Sequence, residues 1–240
     1  VVRPDLREVV PVGYNDPLTD IRTTGSTTLS STTLKNYDLR YELYFDDGDN
    51  LALSAFYKDI ANPIETVLNV GDSSYTASFT NGETAEVYGV EAEWLYDLSW
   101  VSDGFFTSGN ITLSDSEVQI DAASAGNLTN TSKRMTGHSQ YVVNMQLSYD
   151  SANGNHSGSL VYNVFGERIL ASGINGREDS FEQPFHSLDA TYSYYPDFNS
   201  TVKLTLKNLL GEDQDVTQNG LSVRTRSIGT TVKLSYKYDF

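Results

Sequence analysis

Cysteine is absent from the 240 residues. That excludes thiol chemistry, disulfide stapling and every cysteine-based zinc pattern. Histidine is scarce: His138, His156 and His186 are the only three, and none has the i, i+4 spacing of a metal-binding helix. Basic residues are few as well, 16 Lys and Arg against 32 Asp and Glu, for a formal net charge of -16. A chain so negative repels nucleic acid, so no nucleic-acid partner is expected. There is no apolar run of the roughly 20 residues that a membrane-spanning helix needs. The opening Val1-Val2-Arg3-Pro4 has no charged start, apolar stretch or small-residue cleavage site, so no signal peptide is expected. No Gly-x-Ser-x-Gly elbow or glycine-rich phosphate cradle occurs. Glu91 and Glu93 share one strand face, as carboxylates on any polar face do, which resembles a glycosidase pair only superficially. The sequence predicts no catalytic residue, no metal, no cofactor and no enzyme activity.

What is present is a period of two, repeated along almost the whole chain. In the last segment Val232, Leu234, Tyr236, Tyr238 and Phe240 alternate with Thr231, Lys233, Ser235, Lys237 and Asp239. Upstream, Tyr37, Leu39, Tyr41, Leu43 and Phe45 oppose Asp38, Arg40 and Glu42, and Leu51, Leu53, Ala55 and Tyr57 oppose Ser54, Phe56 and Lys58. The same reading holds for Tyr88–Tyr96, Ile111–Leu113, Tyr141–Tyr149, Leu160–Val164, Leu188–Tyr194 and Val202–Leu206. This predicts nine strands, preceded by the tail of an earlier one at Val1-Val2. Helical spacing fits none of the segments.

The connections alternate in length. Asp46–Asn50, Ser99–Gly104, Ser151–Asn155 and Pro196–Ser200 are short; Ala61–Thr84, Val118–Met135, Ala171–Pro184 and Leu209–Arg224 are long. Antiparallel neighbours joined this way put all tight turns at one end and all long loops at the other, as transmembrane barrels do. A soluble up-and-down barrel could share the pattern but has no physical reason to keep one end long. Parity alone does not say which face points inward. The 16 tyrosines favour the membrane version. Those near strand ends, at Tyr37, Tyr57, Tyr88, Tyr96, Tyr141, Tyr149 and Tyr194, are placed as interfacial girdles would be. The fold class expected is all-β: an antiparallel up-and-down transmembrane β-barrel, in part.

Two local motifs have plain explanations. Asp46-Asp47-Gly48-Asp49-Asn50 lacks the distal glutamate and alternating spacing of a calcium loop, and reads as a hairpin turn. Five Asn-x-Ser/Thr sequences, at Asn110, Asn127, Asn130, Asn155 and Asn199, reflect a Ser/Thr/Asn-rich composition.

Several segments resemble TonB-dependent receptors of Gram-negative bacteria. They are Arg3-Pro4-Asp5-Leu6-Arg7-Glu8, Asn36–Glu42, Leu53–Ile60 with Asn62-Pro63-Ile64-Glu65, Tyr88–Glu93, Thr136–Tyr141, Lys207-Asn208-Leu209-Leu210 and the closing aromatic strand. They follow the family's order over nearly the full length. The resemblance implies a barrel of about 22 strands closed around a plug, with residues 1–240 as its carboxy-terminal portion, lacking both plug and signal peptide. It also implies an outer-membrane location, uptake of a scarce small-molecule nutrient (iron chelate, cobalamin or oligosaccharide) and energy from the TonB complex. The partners it implies are outer-membrane lipid, the protein's own plug domain and the barrel-assembly machinery, for which Phe240 resembles the recognition signal. A passive porin and a soluble or secreted β-rich binding or adhesion module are the alternatives. For the ligand-binding or plug-facing lumen the candidates are the polar-face residues Asp38, Arg40, Lys58, Glu91, His138, Gln140, Asn163 and Lys207, with Arg177 in a long loop.

Overall fold

The computed structural model describes residues 1–16, 21–45, 48–70 and 75–240. The chain begins with α1 (Leu6–Val9), β1 (Gly13–Asn15), β2 (Arg22–Thr24), β3 (Thr33–Tyr44), β4 (Asn50–Ala61), β5 (Ile64–Val70) and β6 (Tyr75–Asn81). It continues with β7 (Thr84–Asp97), β8 (Phe105–Gln119), β9 (Ser132–Lys133), β10 (Tyr141–Asp150), β11 (His156–Phe165) and β12 (Arg168–Ala171). The last elements are β13 (Ser180–Glu182), β14 (Phe185–Asp197), β15 (Ser200–Lys207), β16 (Gln214–Gln218), β17 (Leu221–Arg226) and β18 (Thr231–Tyr238).

Nine long strands form one antiparallel meander, in the order β18-β15-β14-β11-β10-β8-β7-β4-β3, with β9 attached to β8. These are the nine strands that the period of two predicts. Cross-strand register turns the alternation within each strand into continuous rows. Leu39, Ala55, Val90, Leu113 and Tyr141 lie side by side across β3, β4, β7, β8 and β10. Leu147, Leu160, Ala190, Leu206 and Val232 do the same from β10 to β18. Tyr37, Tyr57 and Tyr88 form a third row toward the end of the sheet with the long connections.

The two faces differ in exposure as well as in polarity. Leu53 is 48% exposed and its neighbour Ala52 5%; Leu147 is 39% exposed and Ser148 5%. The polar face is the inner, more enclosed one, and the apolar rows look outward. Leu234 and Tyr236 are both largely exposed. A water-soluble barrel would show the reverse, with apolar rows inside.

Two glycines fit under aromatic rings. A Cβ on Gly109 would lie 2.6 Å from the Trp94 ring, and one on Gly89 2.7 Å from Cζ of Phe56. Each ring covers backbone that a glycine leaves bare.

The structure departs from the sequence reading in four places. The segment Asp5–Glu8 is a single helical turn with a capping box: Asp5 Oδ1 accepts from Arg7 N at 2.9 Å and Glu8 Oε2 from Asp5 N at 2.7 Å. Helix was not expected anywhere, and four residues are too few to show a helical period. The strands overrun their apolar cores, so β8 reaches from Phe105 to Gln119 and β14 continues through Pro196 to Asp197. Ladder hydrogen bonds continue past the last apolar side chain. Three of the long connections carry hairpins among the described residues, β5–β6, β12–β13 and β16–β17, to which the sequence reading assigned no strands. Finally, His138 is outside any strand, in the turn before β10. In the tight turn between β3 and β4, Asp46 and Asp47 fall outside the described residues.

The hairpins assemble into two further sheets at the end with the long connections, β1-β2-β6-β5 and β12-β13-β16-β17. The pairing of β2 with β6 is parallel, through Arg22 with Thr76 and Thr23 with Ala77. A small core of Ile60, Ala85, Val118, Ile120 and Ala125 underlies this end. A second, of Ala77 and Ile174 with Ile21, Leu128 and Ala171, joins the two small sheets.

Candidate functional site

Two arrangements of polar groups can take part in recognition. The first is a belt across the inner face. Arg40 Nη2 is 2.7 Å from Glu93 Oε2 and its Nη1 donates to Ser54 Oγ at 3.2 Å, while its Nε pairs with Glu42. On the same strand as Glu93, Glu91 Oε1 accepts from Asn110 Nδ2 at 3.1 Å and from Thr112 Oγ1 at 3.2 Å, both on β8. Asn110 Oδ1 in turn accepts from Asn144 Nδ2 at 2.9 Å. Five strands contribute, and the spacing of two places every contributor on one face. Both signs of charge face the space that the sheet partly encloses, which suits contacts to another polar surface or a hydrated path. The exposed ion pairs add little to stability, because water screens them.

The second arrangement lies at the hairpin end. Lys133, on β9, extends Nζ to within 3.1 Å of Glu65 Oε2 on β5, and both side chains are 3% exposed. Thr136 Oγ1 accepts from Lys133 Nζ at 3.0 Å and donates to Glu65 at 3.2 Å. This triad anchors the β5–β6 hairpin to the sheet. Beside it, a cavity of about 420 Å³ opens between the two small sheets. Ile21, Ala77, Phe79 and Ile169 give it apolar walls; Arg168, Arg224, Arg226, Asp16 and Glu182 bring charge. Arg168 Nε is 2.6 Å from Glu182 Oε2, and its guanidinium lies 4.2 Å over the Phe165 ring. Arg224 and Arg226 are two residues apart on β17, hence on one face, opposite Val216 and Gln214, which also line the space. Ser172 is buried beside the cavity, and its Oγ has no hydrogen-bond partner among the described residues.

The candidates named from the sequence do not converge on this cavity. Arg40 and Glu91 join the inner belt at mid-height, level with each other through Ser54. Asn163 lies in line with Asn144 and Ser187. Asp38 is exposed opposite Phe56, and Lys58 Nζ lies 5.5 Å over the Phe56 ring. His138 docks its ring on β8, with Nε2 3.0 Å from Ser114 Oγ and Nδ1 2.9 Å from Ser116 Oγ. Burial lowers its pKa; Asp115 raises it and Arg134 lowers it to a smaller degree. Gln140 edges an open groove shared with Tyr88 and Asp115. Arg177 lies between β12 and β13, and Lys207 ends β15 opposite Thr231. Phe240 is fully exposed and meets Tyr238 edge-on at 5.1 Å. The cavity residues were missed because they come from seven separated strands and the segments between them. The one local sign was Arg224-Thr225-Arg226, two like charges at a strand period inside a long connection.

No curated protein matches the chain in sequence. Solved structures do match it in fold. The ferric enterobactin receptor PfeA of Pseudomonas aeruginosa superposes with a TM-score of 0.64 at 18% identity, over 99% of this chain and 36% of that one. The iron transporter FrpB of Neisseria meningitidis gives 0.62 at 14% identity, over 91% and 32%. The siderophore receptor PirA of Acinetobacter baumannii gives 0.62 at 16% identity, over 92% and 33%. The chain thus spans about a third of the length of these proteins. The TonB-dependent receptor-like β-barrel family matches residues 2–209, nearly the whole meander. Open at β3 and β18 among the described residues, and apolar on its outer face, the sheet is part of such a barrel, and the chain belongs to the TonB-dependent receptor family.

Proposed function

We propose that this chain is the carboxy-terminal part of an outer-membrane receptor that captures a metal chelate outside the cell and imports it with energy delivered through TonB. The observation that carries the reading is the family match over residues 2–209. The iron and siderophore receptors that share the fold favour an iron chelate over cobalamin or an oligosaccharide. In this reading the apolar rows face lipid, the hairpin end faces the medium and the tight turns face the periplasm. Further strands close the barrel, and the belt around Arg40, Glu91 and Glu93 contacts a plug. Phe240, on the apolar parity of β18, is the contact for the barrel-assembly machinery. No covalent chemistry is required of the chain.

The experiment is uptake of radiolabelled iron chelates by a host lacking its own receptors and expressing the whole protein, with and without a functional TonB. Accumulation that requires TonB supports the proposal. Passage independent of TonB identifies a porin instead.

A further inference from the structure

Lysine is rare in this chain, and four of its seven occurrences fall on two adjacent strands: Lys203 and Lys207 on β15, Lys233 and Lys237 on β18. Register places Lys237 opposite Thr201, Lys203 opposite Ser235, Lys233 opposite Thr205 and Lys207 opposite Thr231. Each lysine is therefore the diagonal neighbour of the next, in the order Lys237, Lys203, Lys233, Lys207, at steps of about 7–8 Å. The series follows the strand direction for about 20 Å, from the tight-turn end toward the long connections. The row through Lys233 and Thr205 continues to Thr191, Ser159 and Ser148, so the lysines stand on the inner face.

The wall supplies little counter-charge. Lys237 is 2.8 Å from Asp239, but Lys203, Lys207 and Lys233 have no ion pair among the described residues. Asp189, on the inner face of β14, accepts from Asn208 N at 2.9 Å and from Ser187 Oγ at 3.2 Å. Neighbouring like charges destabilise a sheet, and composition does not account for them in a chain of formal net charge -16. The residue type matters as well. Guanidinium forks fix an acid in place, as Arg40 does with Glu93 and Arg168 with Glu182. An ammonium on a flexible stem makes a hydrated, exchangeable contact. Several weak sites in series let an ion enter and leave, whereas a fixed acidic surface needs no axial series.

We infer that Lys207, Lys233, Lys203 and Lys237 form an anion-binding ladder on the lumen wall, and that the imported solute is a small polyanion that moves along it. The inference deepens the import reading and rests on its assignment of the polar face to the lumen. The mixed-sign belt around Arg40, Glu91 and Glu93 lies apart from the ladder, on other strands.

The test uses the whole receptor in lipid nanodiscs, spin-labelled through Thr205→Cys among the lysines or through Asn144→Cys in the belt. Collision of the label with trianionic chromium oxalate is compared with collision with an uncharged nickel chelate. At low salt the preference for the anion should be about tenfold greater at Thr205 than at Asn144. It should shrink as salt is raised. The combined substitutions Lys203→Gln, Lys207→Gln and Lys233→Gln should abolish it. Equal preference at the two positions, or indifference to the three substitutions, overturns the inference. Exclusion of both reagents from Thr205 assigns the lysines to the plug and overturns it as well. If the triple variant fails to fold, the two labels compared with all lysines in place still decide. TonB-dependent uptake without anion preference at Thr205 defeats this inference alone. Anion preference without TonB-dependent uptake defeats the import proposal alone.

Discussion

Lys133 and Glu65, 68 residues apart in sequence, form an ion pair of 3.1 Å that is almost completely withdrawn from solvent. A buried pair of this kind is weak evidence for stability when compared with apolar residues in its place. Breaking one half is different, because the remaining charge is stranded. Replacing Glu65 or Lys133 by Ala should cost about 3–5 kcal/mol locally, releasing the β5–β6 hairpin while leaving the meander assembled. Hydrogen exchange of Ile64–Val67 measures this: protection should collapse in either single variant. It should return in the double variant Lys133→Met with Glu65→Leu. Unchanged protection in the single variants would show that the hairpin is held elsewhere.

His138 gives the hairpin end a dependence on pH. Its pKa in the folded chain is lowered by burial, so the unfolded or opened state takes up the proton first. The stability it supports is complete above its unperturbed value of about 6.5 and is lost as pH falls through the lower folded value. The contacts of the ring with Ser114 and Ser116 should therefore open more readily on acidification. Exchange at Met135–Tyr141 should accelerate from neutral pH to about pH 5 beyond the intrinsic chemical change. His138→Gln should flatten that excess. An equal response in the variant would assign the effect to another group.

Gly109 is expected to be intolerant of any side chain. A Cβ there would lie 2.4 Å from Asn144 O and 2.6 Å from the Trp94 ring, so both backbone and ring must shift. Gly109→Val should displace Trp94 and move its fluorescence maximum. It should also reduce the fraction of folded barrel, read as heat-modifiable mobility in gels. The control Gly154→Ala lies in a turn with φ of 71° and nothing nearby. It should strain only the local backbone and leave Trp94 unchanged.

Phe240 follows the apolar parity of Tyr236 and Tyr238 and contributes no buried surface. Its substitution by Ser should leave a purified, refolded barrel as stable as before and yet lower the yield assembled in cells. A loss of stability in the refolded protein would instead make it a structural residue.

The meander was legible in the sequence because each strand separates two different surroundings, so a period of two is imposed on nearly every residue. Leu147 and Ser148 cannot exchange faces without moving the whole row from Leu147 to Val232. Turn and connection lengths were equally legible, since register leaves only two ends to which a connection can belong. Strand limits were not, because hydrogen bonding between Thr84 and Gln119 continues where apolar alternation has already stopped. The hairpin sheets were hidden for another reason. Their cores are small, and the parallel pairing of β2 with β6 joins segments more than 50 positions apart. No local pattern links Lys133 to Glu65, or Phe79 to Arg226; only the folded hairpins bring them together.

The sidedness of the meander is open to a direct measurement. The chain has no cysteine, so single cysteines can be introduced along β10 at Asn144, Met145, Gln146 and Leu147 and spin-labelled in the whole receptor in lipid bilayers. Labels at Met145 and Leu147 should be accessible to oxygen and shielded from a water-soluble nickel chelate, while Asn144 and Gln146 show the opposite. A reversed alternation, or equal access to both reagents at all four positions, would contradict the placement of the apolar rows in lipid.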